Sequence, residues 1–403
     1  MGDHIIIFME EPYNIVDGKA YGNSNWLVYA LEIAKHFNRA ALFFTAQVLP
    51  STYTNPGDYV CDLAASHARI IVLPRYASLS SSIARLPQVM LQFFRYVQQW
   101  GEVQAVLIRT PSICGLALAE LSRVLGKKVF LYVSGNVETQ ATPIIKGGFW
   151  QPVWRKIAQI INVLTRFSAR GLIVFTVGKE MAERLDEDWP LIPKPSKIIN
   201  VLNPMYSERS LYEQVDSYDG GEVKLLRICQ LLPSKGLEIL LQSVEILIRK
   251  GFQLQLAIAG GGNQDYYRAL LNLTEKLGLS PYVKFLGTME HERIMGLYRQ
   301  AHIHVVSSLG EGVPRVIMES WAASLPLVTT AVGGIPGMVK HEDNGLLVPP
   351  GDAAALAAAI ERVINDGELR RRLIRNGFAG ARKNSREKQA QKIAAIIKQY
   401  WAP

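Results

Sequence analysis

The chain has 403 residues, 49% hydrophobic and 20% charged, with a formal net charge of +9. A chain of this length outgrows a single core, so two domains are expected, and the composition excludes a disordered or fibrous protein. Cys61, Cys114 and Cys229 are widely spaced and lack metal-ligand spacing, which excludes a disulfide framework and fits a reducing compartment.

No run of about 18 uncharged apolar residues occurs, so no spanning helix is expected. Met1 to Ile7 lacks the basic, apolar and small succession of a signal peptide, so a cytoplasmic location is expected. The positive charge is not gathered into basic runs interleaved with aromatics, which argues against nucleic acid as a partner. It is densest between Glu138 and Glu180, where Lys146, Arg155, Lys156, Arg166, Arg170 and Lys179 occur without an acid.

His4 to Met9 reads as a first buried strand, Glu10 to Asn25 as a long loop, and Trp26 to Phe37 as a helix. Ala40–Thr45, Ile70–Leu73, Val103–Arg109 and Lys128–Val133 supply further apolar strands, alternating with helices Leu86–Trp100 and Ser112–Leu125. Such alternation predicts a parallel sheet wound on both faces, with ligands beyond the carboxyl ends of its strands. Arg109, in the loop after one strand, and Ser134 and Asn136, in the loop after the next, are therefore candidate cleft residues.

Thr142 to Phe167 carries Trp150, Trp154, Ile157, Ile160, Ile161 and Leu164 at helical spacing beside Arg155, Lys156 and Arg166. That composition suits a helix lying in an anionic inner-leaflet surface, and equally a helix packed on its own domain. The charge tilts the reading towards the membrane, where each basic residue contributes ~1 kcal/mol. Gly171–Val177 is a strand, Gly178–Met181 opens a helix, and Ile198–Leu202 closes the first domain at Asn203-Pro204. Polar, glycine-containing Ser207–Glu222 reads as a linker.

The second half restarts the alternation. Strand Lys224–Cys229 leads through Gln230-Leu231-Leu232-Pro233-Ser234-Lys235-Gly236 into helix Leu237–Arg249. Strand Leu254–Ala259 ends in Gly260-Gly261-Gly262-Asn263, where glycines at 260 and 262 let a ligand approach the backbone. Val283–Met289 is the next strand and loop, and His291 opens a helix towards Tyr298 as a solvated residue. Ile303, Val305 and Val306 form a strand, Ser307 to Gly312 a loop, and Pro314 the first residue of a helix through Ala323.

That helix start presents the N–H groups of Gly312, Val313, Arg315 and Val316 beside the positive end of the helix dipole, a site for phosphate. Glu311 precedes the helix, and Glu319 lies about 7.5 Å along it. Two carboxylates so placed suit the two ends of an extended, hydroxyl-rich ligand with an anionic middle, such as a nucleotide diphosphate-sugar. Leu327–Thr329 reads as a strand, Gly333–Pro336 as a turn before another helix, Asp352–Asn365 and Glu368–Lys383 as helices, and Glu387–Trp401 as a terminal helix.

Glu311-x7-Glu319, followed in order by Pro326–Thr330, Val332–Pro336 and Asn344–Asp352, resembles the carboxyl-terminal signature of family-4 glycosyltransferases, retaining enzymes of the GT-B fold. The agreement covers roughly 225–375, and the amino-terminal half matches in layout alone. The resemblance implies an α/β protein of two doubly wound Rossmann-like domains facing across a cleft. An acceptor-binding domain would span 1–205, a linker 206–221 and a nucleotide-sugar domain 222–385, with 386–403 packing back on the first.

It further implies roles for the residues of the motif. Glu311 would orient the sugar hydroxyls and Glu319 would bind ribose. Lys235, with the backbone from Gly312 through Pro314 to Val316, would stabilise the departing diphosphate, while Gly260, Gly262 and Thr288 would border the nucleoside. An arginine usual in the family five residues before the lysine is Gln230 here, and Ser134-Gly135-Asn136 stands where a histidine is usual. Gly22 and Asn23 are what remains of a glycine-rich first loop.

The resulting expectation is hexosyl transfer with retention, from a nucleotide diphosphate-sugar to a glycan or lipid-linked acceptor, in polysaccharide or glycolipid biosynthesis. Glu311 is read as orienting rather than nucleophilic, because Glu319 is too distant to be its acid partner and a diphosphate leaves without protonation. No His, Cys, Asp and Glu constellation suggests a metal, and no cofactor is expected. The departures at Gln230 and Ser134–Asn136 motivate an alternative: a catalytically impaired scaffold subunit that binds nucleotide-sugar.

Overall fold

A computed structural model describes residues 3–22, 26–52, 59–64, 66–75, 79–100, 102–134, 151–177, 179–187, 191–204 and 206–401. Contacts divide the chain into two units, Met1–Asn203 with Glu387–Pro403, and Pro204–Arg386.

The first unit contains β1 (His4–Val16), β2 (Lys19–Gly22), α1 (Trp26–Ala34), β3 (Arg39–Val48), β4 (Tyr59–Asp62), β5 (Arg69–Pro74), α2 (Leu79–Gln99) and β6 (Ala105–Thr110). It continues with α3 (Ile113–Val124), β7 (Lys128–Val133), α4 (Gln151–Ala169), β8 (Ile173–Val177), α5 (Lys179–Asp186) and β9 (Lys197–Val201). Its parallel strands run β5-β3-β1-β6-β7-β8-β9. The chain starts in the middle, winds outwards one way and then the other, so the strand order reverses between β1 and β6. Both faces are covered: Leu27, Ile33, Ala390, Ile393 and Ile397 pack on one, and Val89, Phe93, Cys114 and Leu118 on the other.

The expected loop over Glu10–Asn25 is corrected. β1 continues to Val16 and turns through Asp17-Gly18, both at positive φ (49° and 74°), into antiparallel β2, which in turn pairs with β4. Asp-Gly is the residue pair a two-residue hairpin turn requires. Pro12 masks the strand in the sequence because it cannot donate to a ladder, and the structure absorbs it by a register shift against β3 between Met9 and Pro12. Similarly, α2 begins at Leu79 rather than Leu86 and carries Pro87 inside it. Burial of Val89, Phe93, Tyr96 and Val97 sustains that helix despite the lost backbone bond.

The second unit comprises β10 (Val223–Ile228), α6 (Leu237–Arg249), β11 (Leu254–Ala259), α7 (Gln264–Lys276), β12 (Val283–Gly287), α8 (His291–Gln300), β13 (Ile303–Val306), α9 (Arg315–Ala322), β14 (Leu327–Thr330), β15 (Leu346–Val348), α10 (Ala353–Asn365) and α11 (Gly367–Lys383). The last helix, α12 (Arg386–Trp401), belongs to the first unit from Glu387 onwards. All six strands of the second sheet are parallel, in the order β12-β11-β10-β13-β14-β15. Leu240, Leu241, Ile360 and Val363 cover one face, and Met295, Tyr298, Ala323 and Leu325 the other. β13 and β14 are buried at every residue, which is why they read as short apolar runs without alternation.

Segment 207–222 is fixed along the second unit. The Tyr212 amide donates to the Ala322 carbonyl at 2.8 Å, and Asp216 meets the buried guanidinium of Arg370 at 2.8 Å. Two local expectations also shift. Pro314 caps α9 instead of opening it, with ψ of 113°, and Gly333–Pro336 leads into a single 3₁₀ turn, Ile335–Gly337, rather than a longer helix. Among the described residues, no helix is long and apolar enough to cross a membrane.

Candidate functional site

In the second sheet the strand order reverses between β10 and β13, and in doubly wound sheets ligands bind beyond the strand ends at such a reversal. Three loops leave the sheet there, 229–236, 307–314 and 331–334, and hydrogen bonds tie them together. The Leu309 amide donates to the Ser234 carbonyl at 2.8 Å, and Ser307 Oγ to the Lys235 carbonyl at 3.0 Å. Thr330 Oγ1 donates to the Ser308 carbonyl at 2.6 Å, and the Gly334 amide to the Gly312 carbonyl at 2.9 Å.

Glycine is required at two of these crossings. Gly236 (φ 60°) and Gly333 (φ 53°) adopt left-handed backbone, and a Cβ on either would collide with the carbonyl of Ser307 or Glu311 respectively. The pair Gly333-Gly334 is thus accounted for by backbone packing against the Glu311-Gly312 turn. Gly312, by contrast, is exposed with open space beside its α-carbon.

On this frame Lys235 Nζ meets Glu311 Oε1 at 2.8 Å, and Ser308 Oγ donates to the same oxygen at 2.7 Å. The two charged side chains are only 20% and 11% exposed, so water screens them weakly. α9 begins four residues beyond Glu311, where the Ile317 amide donates to the Pro314 carbonyl at 3.3 Å and the earlier amides of the helix have no acceptor one turn back within it. Val313 and Val316 are half-buried, Pro314 buried and Arg315 exposed.

Glu319 is 5% exposed in the second turn of α9, where the Tyr298 hydroxyl, 3.2 Å from its Oε2, lies equally close to the Val316 carbonyl. Burial, and next the charge of Glu319, push the Tyr298 hydroxyl well above its usual range, so it stays a donor. The arrangement places a helix start between two carboxylates, Glu319 buried and Glu311 part-buried and held by a cation.

Gly260, at φ 136°, lies against Cys229, and Gly262 pairs with Leu231, so the glycine loop after β11 packs on the loop after β10. Gln230, Gly262 and Thr288 are exposed at this rim. Sequence reasoning missed Ser308, Tyr298 and Arg227, the last a fully buried arginine in β10 that donates to Ser308 Oγ at 2.8 Å. The available signal was an arginine flanked by Leu225, Leu226 and Ile228 in the apolar part of a strand whose other charge, Lys224, is exposed.

The remaining candidates belong to the first unit and are described within it. Gly22 ends β2, where a Cβ would strike the Tyr13 ring, so close packing accounts for the glycine. Arg109 is the last residue but one of β6, 2.7 Å from Glu11 Oε1 and stacked 4.4 Å over the Trp26 ring. It lines a small aromatic cavity with Met9, Trp26, Tyr29 and Tyr132. Ser134 is bound back to the Thr110 carbonyl through Oγ at 3.1 Å. Asn23 and Asn136 lie outside the described residues, as does Trp150.

Comparison with known proteins bears on the same segment. Residues 211–379 match the family described as Glycosyl transferases group 1. Over these residues the second unit is similar to group 1 glycosyl transferases. A D-inositol 3-phosphate glycosyltransferase of Corynebacterium jeikeium is 36% identical over 142 residues, 34% of either chain. The chain spans about half the length, or less, of the curated relatives it matches. Similarity of fold reaches further. Sucrose-phosphate synthase from Thermosynechococcus elongatus superposes with a TM-score of 0.71 at 20% identity, covering 99% of each chain. HepE from Anabaena, solved in complex with UDP-glucose, gives 0.66 at 18% identity over 98% of this chain and 100% of that one. The fold of the chain is thus GT-B, built of two Rossmann-like units, with the Lys235–Glu311 pair inside the segment that matches the group 1 family.

Proposed function

We propose that the chain is a retaining glycosyltransferase of the family-4 type that moves a hexose-type sugar from a nucleotide diphosphate-sugar to a glycan or lipid-linked acceptor. The observation that carries this reading is the Lys235–Glu311 pair, 2.8 Å apart and largely buried, set before the start of α9 with Glu319 further along the same helix. In this reading the diphosphate rests on the α9 start and Lys235, Glu311 accepts from sugar hydroxyls, and Glu319 accepts from ribose. Lys235 and the backbone dipoles gain most as charge collects on the leaving diphosphate, so the rate comes from electrostatics and positioning, and the reading calls for no metal. The UDP-glucose complex of HepE supports the donor class. First-unit residues around Arg109 would receive the acceptor.

A thermal-shift series with UDP, GDP and ADP tests the donor site. A bound nucleotide at ~100 times its dissociation constant adds ~2.7 kcal/mol of apparent stability. No shift with any of the three, and no hydrolysis of their glucose conjugates, would refute the reading. Binding without transfer to any glycan or lipid extract would favour the scaffold alternative.

Membrane contact through α4 is part of the proposal. Val153, Ile160, Leu164 and Phe167 are exposed along one side of it, beside exposed Arg155 and Lys156. Two of the cations counted in the sequence are otherwise engaged: Arg166 donates to the Arg184 carbonyl at 2.6 Å, and Arg170 pairs with Glu120 at 3.0 Å. Arg155 and Lys156 would therefore contribute only ~2 kcal/mol, and the apolar stripe must supply the rest. Sedimentation with anionic liposomes checks this: Ile160→Lys with Leu164→Lys is expected to abolish pelleting, and undiminished pelleting excludes α4.

A further inference from the structure

Arg227 has no solvent exposure and sits in β10 among Val223, Leu225, Leu226 and Ile228. A guanidinium keeps its charge at any pH a folded protein meets, and burying one is costly unless its donors are satisfied. Only Nη2 is: it donates to Ser308 Oγ at 2.8 Å, while Nε and Nη1 are buried without a hydrogen-bond partner. His304 on the adjacent strand, also fully buried, supplies no counter-charge. Burial first, and then the charge of Arg227, hold its imidazole well below the usual range.

The hydroxyl of Ser308 has one proton. Since a guanidinium can only donate, Ser308 Oγ accepts from Arg227 and gives its proton to Glu311 Oε1, 2.7 Å away. Lys235 Nζ donates to the same oxygen at 2.8 Å. Oε1 is therefore occupied from two sides, and among the described residues no hydrogen bond engages Oε2.

We propose that Arg227 is a positioning residue which, through Ser308, fixes the Glu311 carboxylate with Oε1 turned inward and Oε2 presented to a hydroxyl of the donor sugar. The inference rests on the donor-site reading above and deepens it. A cation inside the sheet polarises a serine, the serine orients the acid, and the acid meets the sugar. The nucleotide does not touch this relay, so its loss weakens recognition of the sugar and spares recognition of the nucleotide.

Two measurements test it. The first needs no donor: the urea midpoint shift caused by Glu311→Gln is compared in wild type and in Arg227→Met, with Ser308 intact and with Ser308→Ala. The relay requires the shift to depend on Arg227 when Ser308 is present and not when it is absent. A shift that ignores Arg227 in both backgrounds overturns the relay. The second is calorimetric titration with UDP and with UDP-glucose. Ser308→Ala is expected to weaken UDP-glucose about tenfold and leave UDP within about threefold, and Ser308→Thr, which keeps the hydroxyl, to restore the wild-type ratio. This arm stands even if Arg227→Met does not fold. Equal weakening of both ligands, or no rescue by threonine, overturns the positioning role. Wild-type protein that binds neither ligand removes the donor reading, and the coupling result alone then upholds or overturns the relay.

Discussion

Lys235→Ala separates ground-state binding from transition-state stabilisation. Lys235 Nζ lies 2.8 Å from Glu311 Oε1, in a pair whose side chains are 20% and 11% exposed. A diphosphate entering at the α9 start must share this ammonium with Glu311, so part of its attraction offsets a bond already made. In the proposed reaction charge would grow on the leaving oxygen as the glycosidic bond breaks, and the ammonium would be worth more there than in the bound donor. Removing a preorganised donor of this kind costs about 10²–10³ in kcat, or roughly 2.7–4 kcal/mol. Nucleotide affinity is expected to fall by no more than about tenfold, and folding stability by about 1–2 kcal/mol, because Glu311 keeps Ser308.

The assay is single-turnover hydrolysis of UDP-glucose beside calorimetric titration of UDP, with a urea midpoint to confirm folding. Turnover within about threefold of wild type in a folded variant would show that Lys235 does not stabilise the leaving group. A loss of affinity as large as the loss of kcat would place its contribution in the ground state, and the electrostatic account of the rate would fail.

Three other expectations follow from the same geometry. Glu319→Gln keeps the shape of a buried residue whose Oε2 faces the Tyr298 hydroxyl, yet loses a charged acceptor, so nucleotide affinity should fall about 10–100-fold with little change in kcat at saturation; an unchanged UDP isotherm would remove Glu319 from the ribose. Gly312→Ala meets open space and should leave the urea midpoint within about 0.5 kcal/mol of wild type while weakening UDP about tenfold, whereas Gly333→Ala drives a methyl into the Glu311 carbonyl and should cost about 3 kcal/mol or more; the reverse ranking would refute the assignment of these glycines. Burial, then the charge of Arg39, lowers the His4 imidazole to about 4, so between pH 6.5 and 4 the unfolded chain binds a proton that the folded chain refuses, and stability is lost as pH falls through that window. At pH 5 His4 alone should cost about 2 kcal/mol relative to pH 7, and His4→Phe, which keeps a ring against Trp100, should flatten the urea-midpoint profile; identical profiles would exclude His4 as a source.

How much of this was legible depended on whether a residue's partners are its neighbours in the chain. Parallel strands such as Ile303–Val306 announced themselves because both faces are buried, and the start of α9 because loop, proline and helix are contiguous. Lys235 and Glu311 were visible as members of ordered motifs, yet nothing in either motif says that they touch across 76 residues of chain. The hairpin at Asp17-Gly18 had its turn residues in plain view and was lost because Pro12 breaks the strand pattern before it.

The supports of the site were hidden for a related reason. Arg227 and Ser308 are 81 residues apart, and Tyr298 and Glu319 are 21 apart. Crossover topology brings each pair together by laying β13 beside β10 and α9 after it, so their partners follow from strand order and not from spacing. A sequence search for a second cation near the Lys235 loop stops at Gln230, which the structure leaves exposed. The charge sits three positions earlier, inside the sheet at Arg227, where hydrogen bonds link it to Glu311 through Ser308 in the loop after β13. Burial also sets what that charge can do. With no exposure it makes no contact with solvent-borne ligands, and its one side-chain hydrogen bond among the described residues leads through Ser308 to Glu311.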